Sequence, residues 1–299
     1  MKYKSIFKLC LLTTFLSVAT ISCDDWTEME IHDSQVNGFK EQNPQEYAAY
    51  TQNLRAYKAT KHAVVYARLD NAPEVSIGEK DFLRALPDSI DIVTMRNADR
   101  LSEYDREDMK LVREDYGTKV LYYIDCTAKD KQNTSITSAV EAVRTGTFDG
   151  IALGSEGSAV DVSVLKPLVD ALGQTPCLLV FEGTPSLLPE AQRSLFNYFV
   201  LDISAASDEY DIETSVLYAT GYGKAAPDRL LAVTPDGTLT DNNGVTRNAI
   251  AGAAYGALNM ETPLGGIAIY NISADYYDTD IIYKQTRGGI QFLNPASVH

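Results

Sequence analysis

From about residue 60 onward, short apolar runs alternate with stretches in which apolar residues recur every three or four positions. The run at residues 177–181, Cys-Leu-Leu-Val-Phe, is apolar at successive positions, as in a strand covered on both faces of a parallel sheet. The pattern predicts eight strands, near residues 62–70, 90–96, 119–126, 150–153, 177–182, 198–203, 229–234 and 266–272. It predicts helices at 104–116, 135–145, 162–172, 189–197, 246–258 and 283–293.

Strand and helix alternate along the whole of this region, and the number of strands favours a (β/α)8 barrel, an α/β fold, in a single domain over residues 46–299. The alternative is an open doubly wound sheet. No Gly-x-Gly-x-x-Gly follows an early strand, so a dinucleotide site has no support and no cofactor is expected.

The N-terminus has the layout of an export signal. Lys2, Lys4 and Lys8 precede or interrupt an apolar run at residues 9–18, which small residues and Cys23 follow. That run is too short to cross about 30 Å of hydrocarbon. Residues 19–23 resemble a lipobox, although Thr20 stands where Leu is usual, and the two aspartates after Cys23 resemble the outer-membrane export signal of Bacteroidetes lipoproteins.

These features predict a signal peptide at residues 1–22 and a lipid on Cys23. An acidic tether would follow as far as residue 45, and the protein would be exposed on the bacterial outer membrane. The alternative is a cleaved secretory signal in which the cysteine occurs by chance.

The net charge and the residue types limit the classes of partner that the protein is expected to bind. Residues 1–22 contain three lysines and no acid, so their removal leaves 23 basic against 41 acidic residues, a formal charge of −18. Such a surface repels phosphate backbones, which excludes nucleic acid as an expected partner but is compatible with a neutral glycan. Cys126 and Cys177 are expected to be buried thiols, and the three histidines lack the spacing of metal ligands, so no metal is expected.

In a barrel of this kind, ligands bind on the loops after the carboxyl ends of the strands. Each polar residue at a strand end can also have a purely structural role, because strand ends commonly carry side chains that satisfy loop backbone groups. The polar residues at these predicted ends are Arg68, Asp70, Arg96, Asn97, Asp125, Glu156, Glu182, Asp202, Ser204, Thr234, Asp236, Tyr270 and Asn271.

The fourth predicted strand resembles the signature of glycoside hydrolase family 18, Asp-Gly-x-Asp-x-Asp-x-Glu. Asp149 and Gly150 match its start and Glu156 matches its end, whereas Ala152 and Gly154 replace the two intermediate acids. The segment 265–270, Gly-Gly-Ile-Ala-Ile-Tyr, resembles the family's eighth strand, and residues 47–66 resemble the helix and first strand of its lipoprotein branch.

The resemblance implies a substrate-assisted mechanism. The N-acetyl oxygen of the glycan attacks the anomeric carbon, the glutamate protonates the leaving oxygen, and the aspartate two residues earlier holds the acetamide. Positions i and i+2 of a strand face the same side, so Gly154 removes the partner that Glu156 would need. We therefore expect Glu156 to be a vestigial or weak general acid, or only a polar residue at a strand end.

The resemblance also places the aromatic ring of Tyr270 under a sugar. Tyr222, Tyr276 and Tyr277 are weaker platform candidates near the predicted mouth. Asp149, Asp125, Glu182, Asp202 and Asn271 are the expected substrate-binding polar groups.

Three functions remain open at this point. The first is a non-catalytic lipoprotein that binds N-acetylglucosamine-containing glycans for a neighbouring uptake complex. The second is a working endo-β-N-acetylglucosaminidase, with Glu156 as general acid and with Asp125, Glu182 or Asp202 substituting for the missing acids. The third is an adhesion or assembly module with no sugar in the site. Fold alone cannot choose among them.

Overall fold

The computed structural model describes residues 39–71, 78–127, 132–233 and 237–295. The chain divides into two compact units, residues 1–48 and 49–299. The described part of the first unit is helical, with α1 at Phe39–Gln42 and the beginning of α2, Pro44–Lys58. The predicted tether is thus helical at its end, while the predicted signal peptide and Cys23 lie outside the described residues.

Eight parallel strands of the second unit form a closed barrel, which confirms the predicted (β/α)8 fold. The barrel strands are β1 (Val64–Leu69), β2 (Ile92–Met95), β3 (Lys119–Asp125), β4 (Gly150–Gly154), β5 (Leu178–Glu182), β6 (Tyr198–Leu201), β7 (Leu230–Val233) and β10 (Gly266–Ile269). Their order around the barrel is β1-β10-β7-β6-β5-β4-β3-β2. Each lies within one of the predicted segments or extends it by a residue.

The helices of the second unit after α2 follow the barrel strands. They are α3 (Glu103–Glu114), α4 (Gln132–Arg144), α5 (Val162–Leu172), α6 (Glu209–Gly221), α7 (Ala249–Asn259) and α8 (Lys284–Leu293). Local sequence explains where several begin. Ser102 and Asp105 form a reciprocal capping box at the start of α3. Asp161, Asp208 and Asn248 each accept a hydrogen bond from a first-turn backbone N–H of the next helix.

Three local elements differ from the prediction. Residues 189–197 contain a 3₁₀ segment, Glu190–Leu195, in place of an α-helix. The predicted helix at 246–258 begins three residues later, because Thr246–Asn248 (β9) pairs with Thr238–Thr240 (β8) in an antiparallel hairpin. Helix α6 was not predicted, because its apolar residues do not form one clear stripe.

Alternation along the strands sorts side chains into two layers. Residues facing outward pack against the segments that surround the barrel: Tyr122 contacts Phe148, with ring centroids 5.3 Å apart, and Phe196 contacts both Phe181 and Phe199. Residues of the other parity face the barrel interior. No helix in the described ranges is long and apolar enough to cross a membrane.

Candidate functional site

A buried polar network crosses the barrel interior. Strands β1 and β5 lie on opposite sides of the barrel, yet the hydroxyl of Tyr66 donates to Oε1 of Glu182 at 2.6 Å. Tyr66 also hydrogen-bonds Thr94, and Arg68 Nη1 donates to Oε2 of Glu182 at 3.2 Å. Both oxygens of the Glu182 carboxylate therefore have partners, as burial of a charged group requires.

Burial raises the pKa of Glu182, and Arg68 and Tyr66 oppose that shift without cancelling it. The pKa of Tyr66 is also raised, first by burial and then by the neighbouring carboxylate. Removing one member of such a buried pair costs about 3–5 kcal/mol, because the other charge stays buried alone. The network therefore holds the centre of the barrel in one arrangement.

Two arginines cover tyrosine rings at the carboxyl ends of the strands. The guanidinium carbon of Arg68 lies 3.8 Å from the ring centroid of Tyr270, and that of Arg96 lies 4.5 Å from the ring centroid of Tyr123. Asp70 is a loose carboxylate partner of Arg96, with Nε and Oδ1 4.0 Å apart. Tyr270 is thus at the mouth as predicted, but one face of its ring is already occupied.

Gly154 has a neighbour that explains why it is glycine. In the sheet register Gly154 pairs with Asp125 of β3 and with Glu182 of β5. A Cβ atom at position 154 would lie 2.1 Å from the hydroxyl oxygen of Tyr123. The phenol of Tyr123 therefore occupies the space that any side chain at 154 would need.

Glu156 lies beyond the end of β4 and is exposed. The N–H of Ser158 donates to the carbonyl of Ser155 at 2.8 Å, and the two residues between them have φ angles of 45° (Glu156) and 77° (Gly157). Both central residues of this tight turn are left-handed, which is uncommon for a glutamate. The structure therefore separates Glu156 from the buried Glu182 network.

Asp149 lies at the opposite end of the barrel. It precedes β4 and accepts two hydrogen bonds from Arg113, at 2.8 and 3.2 Å, and one from the backbone N–H of Val120 at 3.0 Å. Lys119 is 3.7 Å away. Asp149 therefore joins the amino ends of β3 and β4 to α3 and does not share a site with Glu182, which corrects its expected place in the substrate site.

Asp125, Asp202 and Asn271 lie at the carboxyl ends, as predicted, but are engaged in their own loops. Asp125 accepts from the N–H and hydroxyl of Thr127, at 2.8 and 2.6 Å, and Asp202 accepts from the same two groups of Ser204, at 3.1 and 2.7 Å. The carbonyl of Asn271 accepts from a loop N–H three residues later. These contacts are turn-stabilising contacts.

The other tyrosine candidates are spread apart. Tyr276 and Tyr277 follow β10, and the Tyr276 hydroxyl donates to Glu79 at 2.5 Å. Tyr222 ends helix α6, where it is 72% exposed and packs on Tyr218. Thr234 and Asp236 lie outside the described residues. Sequence reasoning missed Tyr66, Thr94 and Tyr123, although their spacing of two from Arg68, Arg96 and Asp125 indicates one face.

A pocket of about 900 Å³ opens at the amino ends of the strands, away from Glu182. Polar groups in its lining already have partners: Lys58 Nζ donates to the carbonyl oxygens of Asp88 and Ile90, both at 2.6 Å, and His62 Nε2 lies 2.9 Å from Asp91 Oδ1. Burial lowers the pKa of Lys58 to about 8. This end of a barrel contributes to stability, so we assign the mouth and not this pocket as the candidate site.

Within the described residues, the geometry does not support a metal site or a reactive thiol. Among the residues whose placement is described, no three His, Cys, Asp or Glu side chains are grouped to hold a metal ion. Cys126 and Cys177 are partly buried and form no disulfide within those ranges. Burial raises the pKa of the Cys126 thiol to about 12, which keeps it protonated.

A family model and several solved structures resemble this chain. A family model described as glycoside hydrolase family 18, BT1044-like, matches residues 27–145. This part of the chain resembles glycoside hydrolase family 18. No curated protein matches the sequence.

Solved structures share the barrel fold of this chain at low sequence identity. A variant of BT1044 has a TM-score of 0.69 at 18% identity, over 86% of this chain and 95% of that one. An endo-β-N-acetylglucosaminidase from Cordyceps militaris has a TM-score of 0.57 at 17% identity, over 83% and 96%. A chitinase from Bacteroides thetaiotaomicron has a TM-score of 0.53 at 13% identity, over 80% and 98%.

Proposed function

We propose that this family 18-like protein binds N-acetylglucosamine-containing glycans without hydrolysing them. A glycan ligand is supported by the relatives, since the Cordyceps militaris enzyme has a solved complex with fucosyl-N-acetylglucosamine-Asn. The acidic surface repels nucleic acid and tolerates a neutral sugar. No cofactor is needed for binding of this kind.

The proposal that the protein does not hydrolyse glycans rests on one observation, which is that the phenol of Tyr123 lies over Gly154. Position 154 has no side chain that could hold and charge an acetamide, and Tyr123 Oη lies in the space that such a side chain would enter. Loss of one preorganised stabilising group costs on the order of 10²-fold to 10³-fold in rate. The exposed, left-handed Glu156 adds to the loss, because a general acid must be held within hydrogen-bond reach of the leaving oxygen.

We further propose that a lipid on Cys23 anchors the protein at the outer membrane, exposed on the cell surface, where it would deliver glycans to a neighbouring uptake complex. The support is the order of lysines, apolar run, cysteine and two aspartates in the first 25 residues.

An active endo-β-N-acetylglucosaminidase is the second candidate. Its support is the buried carboxyl group of Glu182 at the carboxyl end of β5. Burial raises the pKa of this group, as a general acid requires. Against it, Arg68 and Tyr66 already bind both carboxylate oxygens.

Incubation of the full-length protein with a high-mannose glycoprotein separates the two candidates. A binder retards or captures the glycoprotein and leaves its glycan attached, whereas an enzyme releases the glycan. If release occurs, Glu182→Gln and Glu156→Gln identify the acid, because the amide keeps the shape but donates no acidic proton. If the glycoprotein is neither retained nor cleaved, both candidates are rejected and an adhesion or assembly module is favoured.

A further inference from the structure

The polar atom nearest to the missing side chain at position 154 comes from the neighbouring strand. Tyr123 Oη lies 2.1 Å from the ideal Cβ position of residue 154, which is within the reach of an aspartate carboxylate from its own Cβ. An oxygen therefore stands near the place of the absent carboxylate, supplied by β3 in place of β4. Register makes this possible, because Tyr123 is paired with Ala152, two residues before Gly154 on the same face.

The hydroxyl of Tyr123 is available to a ligand. The residue is 8% exposed, and none of the hydrogen bonds among the described residues uses Tyr123 Oη. Tyr66, an interior tyrosine of β1, differs because Thr94 and Glu182 already bind its hydroxyl. Arg96 stacks on the ring of Tyr123 and limits its rotation.

The hydroxyl also stays neutral. Burial and the nearby Glu182 carboxylate raise the pKa of Tyr123 far above the physiological range. A neutral phenol both donates and accepts a hydrogen bond, as an amide does. Of the charged groups near it, Arg68 pairs with Glu182, while the Arg96 guanidinium lies over the Tyr123 ring.

We propose that Tyr123 is a ligand-contacting residue that gives the barrel mouth its preference for the acetamido substituent of an N-acetylated sugar over a hydroxyl. This inference rests on the proposed glycan-binding function and assigns one of its specificity-determining groups. A phenol can hold an acetamide but cannot supply negative charge to it. Tyr123 would therefore favour binding of the sugar without promoting its cleavage.

The test compares two neutral tetrasaccharides that differ at C2, N-acetylchitotetraose and cellotetraose, by calorimetry on the full-length protein. Tyr123→Phe removes only the hydroxyl and is expected to reduce the preference for the acetamido sugar by about 3-fold to 10-fold, the value of one hydrogen bond. Affinity for cellotetraose should not change.

Tyr122→Phe is the matched control. It makes the same change one residue away on the outward face, where the buried Tyr122 hydroxyl has no hydrogen-bond partner among the described residues, and it should leave the preference unchanged. An unaltered preference in Tyr123→Phe would overturn the role of Tyr123 while leaving glycan binding intact. Failure of the wild-type protein to bind either sugar would overturn this inference together with the proposed function.

Discussion

Arg68 lies over the ring of Tyr270 with its guanidinium carbon 3.8 Å from the ring centroid, while its Nη1 donates to Glu182. One side chain thus connects the aromatic candidate at the mouth to the buried carboxylate. A sugar that stacks on Tyr270 must use the ring face opposite Arg68, or Arg68 must move and leave Glu182 with one partner fewer. The first route is less costly, because it keeps the buried ion pair.

Tyr270→Ala should weaken glycan binding by about 1–3 kcal/mol, roughly 5-fold to 150-fold in Kd, because it removes a large apolar face. Calorimetry with N-acetylchitotetraose measures the change, and thermal melting checks that the variant is folded. Tyr222→Ala is the control, since Tyr222 is exposed at the end of helix α6. Unchanged affinity in folded Tyr270→Ala protein would show that the ring is not a platform.

Glu156→Gly should leave glycan affinity unchanged and should not lower the melting temperature. Replacing a left-handed glutamate by glycine removes backbone strain of about 1–2 kcal/mol. The greater backbone entropy of glycine in the unfolded chain costs roughly 0.5–1 kcal/mol of stability. Lys224→Gly is the matched control, because Lys224 is also left-handed, with φ of 54°. A selective loss of affinity in Glu156→Gly would instead assign a binding role to the Glu156 side chain, and Glu156→Gln would then test whether its charge matters.

The barrel could be predicted because its strands are short apolar runs bounded by polar residues, a local signal. The β8–β9 hairpin was missed although Asn243-Gly244 is a strong turn signal, because its strands are only three residues long. Helix α6 has a clear capping residue, Asp208, which deserved more weight than its weak apolar periodicity.

The site was harder to predict, because it depends on register. The resemblance assigned Asp149 and Glu156 to one site, although the predicted strand at residues 150–153 separates them to opposite ends of the barrel. The pattern also cannot tell that Tyr123 of one strand covers Gly154 of the next. Sequence reasoning identified the missing acid but not its replacement, since that pairing exists only after two strands are aligned.

His62 should stabilise the fold more at acid pH than at alkaline pH. The hydrogen bond to Asp91 raises the pKa of His62 above its unfolded value, and burial only partly opposes the shift. A raised pKa contributes stability that is fully present below the unfolded value of about 6.5 and is lost as pH rises through the folded value. The unfolding free energy of wild type minus that of His62→Gln should therefore be larger at about pH 5.5 than at about pH 8. An equal difference at both pH values would contradict the coupling.

Cys23→Ala should abolish lipid attachment, because the proposed signal provides this thiol as the acceptor. Labelling of expressing cells with a palmitate analogue measures it. Cys10→Ala, inside the apolar run of the signal, is the control and should label as wild type does. Equal labelling of wild type and Cys23→Ala would reject the proposed anchor, whatever the barrel binds.

Gly154→Asp should destabilise the protein and should not create a hydrolase, either alone or with Ala152→Asp. The new Cβ would lie 2.1 Å from Tyr123 Oη, so the tyrosine must move, and overpacking of this kind costs about 1–3 kcal/mol. Gly221→Asp is the control, because nothing lies within 4 Å of a Cβ added there. Denaturant unfolding of Gly154→Asp, of Tyr123→Ala and of the variant that combines these two changes measures the coupling free energy between positions 154 and 123. The combined variant should lose less stability than the sum of the two single losses.

The Gly154→Asp/Tyr123→Ala variant has space for the carboxylate, yet Glu156 remains exposed in its turn. About 1 Å of misplacement can cost 10²-fold in rate. Turnover of a chitobiose-linked glycan at roughly 1 per second or faster would contradict this account.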